Sequence, residues 1–480
     1  VALAAKAFLA CAVRLIKIKD PPPPRPHVAG MDIATLLTRY DTRVPRYTSY
    51  PTAPHFSPAV TPEHTAAWLG RLPADQPLSL YLHVPFCEQL CLYCGCNTFV
   101  VRRDGPRIGY AEALVREIAL AAAAIGGRRR VTHIHWGGGT PTALPARSLR
   151  HVMAELRAAF DVDANAEIAI ELDPRHLPDD RLAALADMGV TRASLGVQDF
   201  EPEVQAAVGR IQSLALTKTV ADRLRANGIA GLNIDLMYGL PYQTSQSVAE
   251  TASRALELEP DRVAVFGYAH VPWMKRHQKL LPEAALPGPV ERYAQREAVE
   301  QTIVAARYTA IGLDHFARPD DALSESAGRG EMRRNFQGYT TDTAPNLIGF
   351  GASAIGSLPQ GYAQNATNLP EYLGAISRGR LPVARGIEIS PDDRLRRDVI
   401  EQIMCRLHVD LHVIAKAHGA DPGALTQAAP RLAPMQEDGL IKWNGSVVEV
   451  LPAGRPFVRS VAAAFDTYLQ AGTARHATAV

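Results

Sequence analysis

The chain has 480 residues, which at roughly 100 to 200 residues per domain allows two to four domains or one barrel with appendages. Hydrophobic residues at 47% and charged residues at 21% belong to a globular protein with a large core and exclude global disorder. A formal charge of +2 excludes general affinity for nucleic acid or anionic membrane, so an acidic ligand has to be met by local arginines.

Residues 1–30 carry an acid-free apolar stretch around Ala7 to Val13 and then Pro21 to Pro24. They read as a disordered tail, translated upstream sequence ahead of Met31, with a targeting peptide as the alternative. Residues 31–77 read as an N-terminal arm. From Leu78 a strand-then-helix rhythm sets in, with strands at Leu78 to Val84, Val131 to Trp136, Glu167 to Leu172, Arg192 to Val197, Gly231 to Met237 and Arg262 to Tyr268. The intervening helices are Tyr110 to Ile125, Ala146 to Phe160, Pro178 to Met188, Leu214 to Asn227 and Ser245 to Leu258. Such alternation requires parallel strands with right-handed crossovers, and the six units predict an α/β fold, a partial TIM-type (β/α)6 barrel within residues 78–385. Ile311 to Asp314 adds a further candidate strand. Residues 386–480 read as a small, mainly helical domain of winged type: helices at Asp392 to Arg406 and Ala424 to Asp438, then a hairpin, Leu440 to Trp443 and Val447 to Val450, turning at Asn444-Gly445. No apolar run reaches the roughly 18 residues needed to span a bilayer, so no membrane association is expected.

Of six cysteines, four lie within ten residues: Cys87, Cys91, Cys94 and Cys96. Such clustering points to a metal in a reducing compartment, hence to the cytoplasm. The spacing Cys87-x3-Cys91-x2-Cys94 falls in the loop after the first strand, the end of a parallel barrel where chemistry collects. Structural zinc commonly uses two separated cysteine pairs, and no second pair exists here. Three thiolates in one tight loop suit the corners of a cubane iron-sulfur cluster and leave one iron open to a ligand. Cys96 is read as a nonligand, a fourth ligand being the alternative that would close the site; Cys11 and Cys405 are read as bystanders.

Parallel strands bring their C-terminal ends to one face. The second delivers Gly137-Gly138-Gly139-Thr140, where missing side chains let backbone amides approach a ligand. The third delivers Glu171 and Asp173; the fourth Gln198 and Asp199, with Arg210 following; the fifth Asn233 and Asp235; the sixth Tyr268 and His270. Singly, each Asp is as well explained as a helix cap. Glu171, flanked by Ile170 and Leu172, needs a buried partner, which a ligand with hydroxyl and amino groups would supply.

At these residues the chain resembles the radical S-adenosylmethionine (SAM) superfamily, and further motifs are similar to its oxygen-independent coproporphyrinogen III oxidase family. These are Pro45-Arg46-Tyr47-Thr48-Ser49-Tyr50-Pro51-Thr52, Tyr81 to Cys87, Cys94-Gly95-Cys96-Asn97, His135-Trp136, Glu171 to Arg175, Gly196 to Phe200 and Asn335 to Thr341. The resemblance implies a 4Fe-4S cluster on Cys87, Cys91 and Cys94 and two SAM molecules. One would meet Tyr81, Gly138, Glu171 and Ile355; the other Tyr93, Gly139, Thr140, Gln198, Arg210, Asp235 and Ala269. Tyr93 stands where the family often has Phe, and Gly209-Arg210 replaces a more usual Asn-Arg. The implied reaction is oxidative decarboxylation of two propionates of coproporphyrinogen III to vinyl groups, giving protoporphyrinogen IX. It implies an electron donor such as a flavodoxin or ferredoxin, an electron acceptor, no nucleic-acid partner, and a monomer. Arg46, Arg318, Arg333 and Arg334 are the candidate partners for substrate carboxylates. Two rival readings are a haem-binding chaperone of the same superfamily without oxidase activity, and a zinc-stabilised nucleic-acid binder.

Overall fold

A computed structural model describes residues 32–471. The expectations for residues 1–30, Cys11 among them, lie outside the described residues. Six parallel strands follow one another in the sheet: β1 (Leu78–Val84), β2 (Arg130–Gly138), β3 (Asp161–Leu172), β4 (Arg192–Gln198), β5 (Gly231–Tyr238) and β6 (Arg262–Gly267). Each crossover is helical, as expected of parallel neighbours. Leu78, Leu82, Val84, Ile170, Leu195, Ile234 and Val263 are fully buried, and with the inner faces of the crossover helices they make one continuous core. Alternate residues of β4 and β5 are half-buried, because one sheet face packs under helices while the other lines an interior space.

The observed sheet is larger than six strands. Beyond β6 come β7 (Thr309–Ile311) and β8 (His315–Ala317), with β8 antiparallel to β6. The strand expected at Ile311 to Asp314 is thus corrected: Ile311 ends β7, and Gly312 to Asp314 make the turn, Gly312 adopting φ 51°. On the other edge β9 (Asn346–Phe350) runs parallel to β1, pairing Leu78 with Asn346 and Leu82 with Phe350. Three antiparallel strands then follow, β10 (Ile355–Leu358), β11 (Gly361–Asn365) and β12 (Val383–Glu388), to complete twelve. Glu117 clamps this extension to the barrel from helix Asp104–Ile125, accepting from Gly351 N (2.8 Å), Tyr372 OH (2.6 Å) and Asn365 Nδ2 (2.6 Å). Burial nonetheless pushes its carboxyl up to about 7, against the effect of those donors.

The C-terminal region holds helix Pro391–Arg406, capped by the Ser390–Asp393 box, and a three-stranded sheet built from His408–Asp410, Ile441–Trp443 and Val447–Val450. The helix expected over Ala424 to Asp438 is split into a 3-10 segment, Pro422–Ala428, and helix Ala429–Glu437. Pro430 lacks the N–H that would continue the ladder. The N-terminal arm shares a core with this region: Leu36, Leu37, Tyr40, Tyr47 and Tyr50 pack among Leu395, Val399, Phe457 and Val461. Tyr40 OH donates to Asp438 (2.5 Å) and Tyr47 OH to Asp466 (2.9 Å). No helix of the described residues is long and apolar enough to cross a membrane.

Candidate active site

The C-terminal ends of β1 to β6 open on a cavity of about 420 Å³. Its lining includes Cys87, Cys91, Tyr93, Cys94, Cys96, Gly138, Gly139, Thr140, Glu171, Gln198, Arg210, Asp235 and Ala269. Twelve of the fourteen residues that the sequence nominated for cofactor and metal therefore meet as neighbours around the cysteine loop, together with Cys96.

The loop is tied down at both ends. Cys87 pairs with Val100 across a short two-stranded ladder, and Leu92 N donates to Val208 O (2.9 Å). Burial pushes the Cys87 thiol up to about 12, with Thr140 Oγ1 at 3.8 Å from its sulfur. Cys94 has its pKa lowered by a hydrogen bond from Cys96, whose own thiol is correspondingly raised. Arg175 and Arg210 aim NH2 (3.5 Å) and NH1 (3.4 Å) at Cys91 Sγ. Two positive charges therefore stand beside the cysteine loop at this sulfur. Asp173 holds both guanidiniums, and although burial opposes it, hydrogen bonding from Arg175 and the charge of Arg210 depress its carboxyl to about 2.

The glycine run lets β2 pack directly against the loop. A Cβ on Gly139 would stand 2.7 Å from Phe86 O and 3.0 Å from Cys87 Sγ, and Gly138 adopts φ 116° with the His83 ring against it. Any side chain at either position would collide with the loop or with His83. Glu171 faces this run, accepting from Gly138 N (3.0 Å) and His135 Nε2 (3.2 Å). Burial raises its pKa, but the His135 and Gly138 bonds outweigh it and the net shift is downward. Across the cavity Asp235 accepts from Ser194 Oγ (3.1 Å), and burial with the nearby Glu171 charge pushes it up to about 7.

Two features carry unmet polar capacity. Gln198 has a left-handed backbone, φ 69°, and its buried Oε1 has no hydrogen-bond partner. Arg210 donates to Gly196 O and to Asp173, yet its buried Nε is likewise unpartnered. Strain and orphaned polar atoms persist in native proteins where a ligand completes them. The three-thiol loop, the glycine cradle and these orphans together fit an iron-sulfur cluster with a polar, multidentate small molecule beside it.

Other expectations resolve differently. Tyr81 and Ile355 lie outside the cavity lining: Tyr81 stacks on His135 behind Glu171 (5.9 Å between centroids), and Ile355 begins β10 beside Gly349. Asp199 accepts from Glu201 N, Gln243 and Thr251 in the turn after β4, and Asn233 belongs to an ion network with Arg192, Arg262 and Asp321. Arg318 is exposed beside Asp320, Arg333 pairs with Glu401, and Arg334 lies over the Tyr339 ring, while Arg46 alone of the four nominated arginines reaches the cavity. The sequence did not single out Arg175, Ser194 or His135 for roles they show here; Arg175 and His135 sit two residues from the nominated Asp173 and Gly137, and Ser194 lies four residues before Gln198 on the same strand.

This geometry is that of a radical SAM enzyme, an oxidoreductase built on a 4Fe-4S cluster and SAM, and the model of the Radical SAM superfamily matches residues 81–255. A second model, the HemN C-terminal domain, matches residues 389–457. The chain is 51% identical over 448 residues to the oxygen-independent coproporphyrinogen III oxidase of Bradyrhizobium diazoefficiens, covering 93% of this chain and 100% of the relative. It is 41% identical to that of Escherichia coli, covering 91% and 95%. The solved structure of coproporphyrinogen III oxidase (HemN) from Escherichia coli, described as a radical SAM enzyme, superimposes with a TM-score of 0.85 at 38% identity over 91% of this chain and 99% of that one. The chain belongs to the oxygen-independent coproporphyrinogen III oxidase family.

Proposed function

We propose that the protein converts two propionates of coproporphyrinogen III to vinyl groups, giving protoporphyrinogen IX in haem biosynthesis without oxygen. The observation that carries this reading is the meeting of the three-cysteine loop with the glycine cradle, Glu171, Gln198 and Arg210 in one cavity, in a chain that matches full-length relatives bearing that activity in their names. In this reading Cys87, Cys91 and Cys94 hold a 4Fe-4S cluster. When bound, the cluster and SAM would, with one electron from the donor, supply removal of a hydrogen atom from the propionate β-carbon; loss of carbon dioxide and of one electron to an acceptor would then leave the vinyl group.

The remaining work falls to the chain. Gly138 and Gly139 line the cavity beside the loop, and Glu171 takes the cofactor's hydroxyls with His135 and Gly138 N fixing the carboxylate. Tyr81 orients His135 from behind, and Ile355 backs the strand beside it. Tyr93, Thr140, Gln198, Arg210, Asp235 and Ala269 offer a second ring of donors and acceptors, which supports a second SAM molecule. Arg210 and Gln198 satisfy their orphaned atoms on it. Arg46, carried by the arm, closes the cavity from above and keeps bulk water from the radical's position. A flavodoxin or ferredoxin as electron donor, a monomeric state and a cytoplasmic location complete the proposal.

The test is an anaerobic assay of the reconstituted protein with coproporphyrinogen III, SAM and a reductant. Two equivalents of carbon dioxide and protoporphyrinogen IX are expected for each substrate. Cleavage of SAM with no decarboxylation, or tight haem binding without turnover, would overturn the reading.

A further inference from the structure

A second cavity of about 340 Å³ adjoins the first, and Arg46, Gly267, Tyr268 and Ala269 line both. Its wall contains five arginines, Arg43, Arg46, Arg292, Arg296 and Arg459, against two acids, Glu300 and Asp314. This one chamber therefore holds a larger positive excess than the +2 of the whole chain. Arg296 is paired with Glu300 at 3.1 Å, and Asp314 with His315 at 2.7 Å. Arg46, Arg292 and Arg459 each donate to backbone oxygens, which orient their guanidiniums.

Two of them flank the seam between the chambers. Arg46 NH2 donates to Gly267 O (3.0 Å), and Arg292 NH1 donates to Tyr268 O (2.8 Å). Gly267 sits between them so tightly that a Cβ there would come within 3.2 Å of Arg292 NH2 and 2.9 Å of Tyr238 OH. Arg459 donates to Pro45 O (3.0 Å) and Val44 O, fixing the backbone that carries Arg46. We propose that Arg46 and Arg292 form a carboxylate clamp at this seam, which grips a non-reacting propionate of the tetrapyrrole while a reacting one reaches into the cofactor cavity. The proposal rests on the reading given under Proposed function and deepens it by naming substrate-positioning residues.

The chemistry of both sides agrees. The substrate carries four propionates, of which two react, so the other two must be held as carboxylates throughout; guanidinium forks are the side chains that do this with fixed geometry. Phe316 and Trp273 give the same chamber an apolar wall for pyrrole rings. Burial, followed by the charge of Arg46, lowers Arg459 to about 10. Cations crowded in this way are stabilised by an anion among them.

The test is anaerobic fluorescence titration of the reconstituted holoenzyme with coproporphyrin III and with protoporphyrin IX, which keeps only the two unreacted propionates. Arg292→Gln and Arg46→Gln should each weaken both porphyrins about 10- to 100-fold, the range for a lost charge-assisted hydrogen bond. SAM affinity and cluster absorbance should stay at wild-type values, and KM for coproporphyrinogen III should rise with them. Changes below about two-fold in both variants would overturn the clamp. A loss confined to coproporphyrin III would overturn its assignment to a non-reacting propionate. Should Arg292→Gln fail to fold, Arg46→Gln, whose side chain opens to the cavity, decides alone. Wild-type protein that binds both porphyrins but forms no product would refute the proposed function and leave the clamp standing.

Discussion

Glu171→Ala tests the centre of the site. In the wild type the carboxylate accepts from Gly138 N at 3.0 Å and His135 Nε2 at 3.2 Å and still lies open to the cavity. If its remaining lone pairs take two ribose hydroxyls of SAM, removing them costs about 1 to 3 kcal/mol, or roughly 5- to 150-fold in Kd. Glu171→Gln keeps the volume over Gly137 and one oxygen for the Gly138 amide but loses the charge, so its SAM affinity should fall between wild type and Ala. The assay is equilibrium SAM binding to anaerobically reconstituted protein, paired with 5′-deoxyadenosine release under dithionite in the absence of tetrapyrrole. The competing account makes Glu171 only a lock on the glycine turn. It predicts a lowered unfolding temperature with unchanged SAM affinity, and that outcome in the Ala variant would refute the reasoning.

Replacement of Cys87, Cys91 or Cys94 by Ser should abolish the cluster signal in electron paramagnetic resonance, whereas Cys96→Ser should retain it and shift only its line shape, since Cys96 donates to Cys94. Glu117 should make folding pH-dependent. Its carboxyl is raised from 4.5 to about 7, so the stability of its protonated form is fully present below pH 4.5 and lost as pH rises through 7. The total is about 3 kcal/mol, and Glu117→Gln should flatten the profile of unfolding temperature between pH 5 and 8. The arm should divide into structural and functional residues. Tyr47→Ala, at a buried ring bonded to Asp466, should destabilise by about 3 to 5 kcal/mol in denaturant titration. Arg46→Ala should leave that curve in place and lower turnover.

The six barrel strands were legible because each is a β-branched, apolar run closed by a glycine or polar turn, and the cysteine spacing marked the loop directly. The first half of β3, Asp161 to Asn165, was missed because its polar residues hide the alternation that pairing with β2 imposes. Strands β9 to β12 were missed for a related reason. Gly349, Gly351, Gly356 and Gly361 break up their patterns, and it is the closeness of neighbouring backbones, as at Gly349 against Ile355, that requires glycine there. Strand ends also delivered Asp199, which lies outside the cavity lining, beside Asp173, which belongs to it. Nothing local distinguishes a carboxylate that caps a turn from one that faces a ligand. The basic chamber was legible only at Arg46: Arg292 lies on helix Pro289–Ala305 and Arg459 on helix Val458–Ala463, and only the fold brings them to Arg46.

The shared core of the arm and the C-terminal region fixes an order of assembly during synthesis. Cys87 through Gly267 contains the cysteine loop and all six barrel strand ends save β1 itself, which precedes it directly. The cofactor half of the site is therefore complete in the nascent chain after about the first half has left the ribosome. Arg46 has emerged long before, but the Arg459 that fixes its backbone lies more than four hundred residues downstream, and Tyr47 waits for Asp466. The arginine-lined chamber is thus roofed only when translation is almost finished, which leaves the cysteine loop open to solvent through most of the protein's own making.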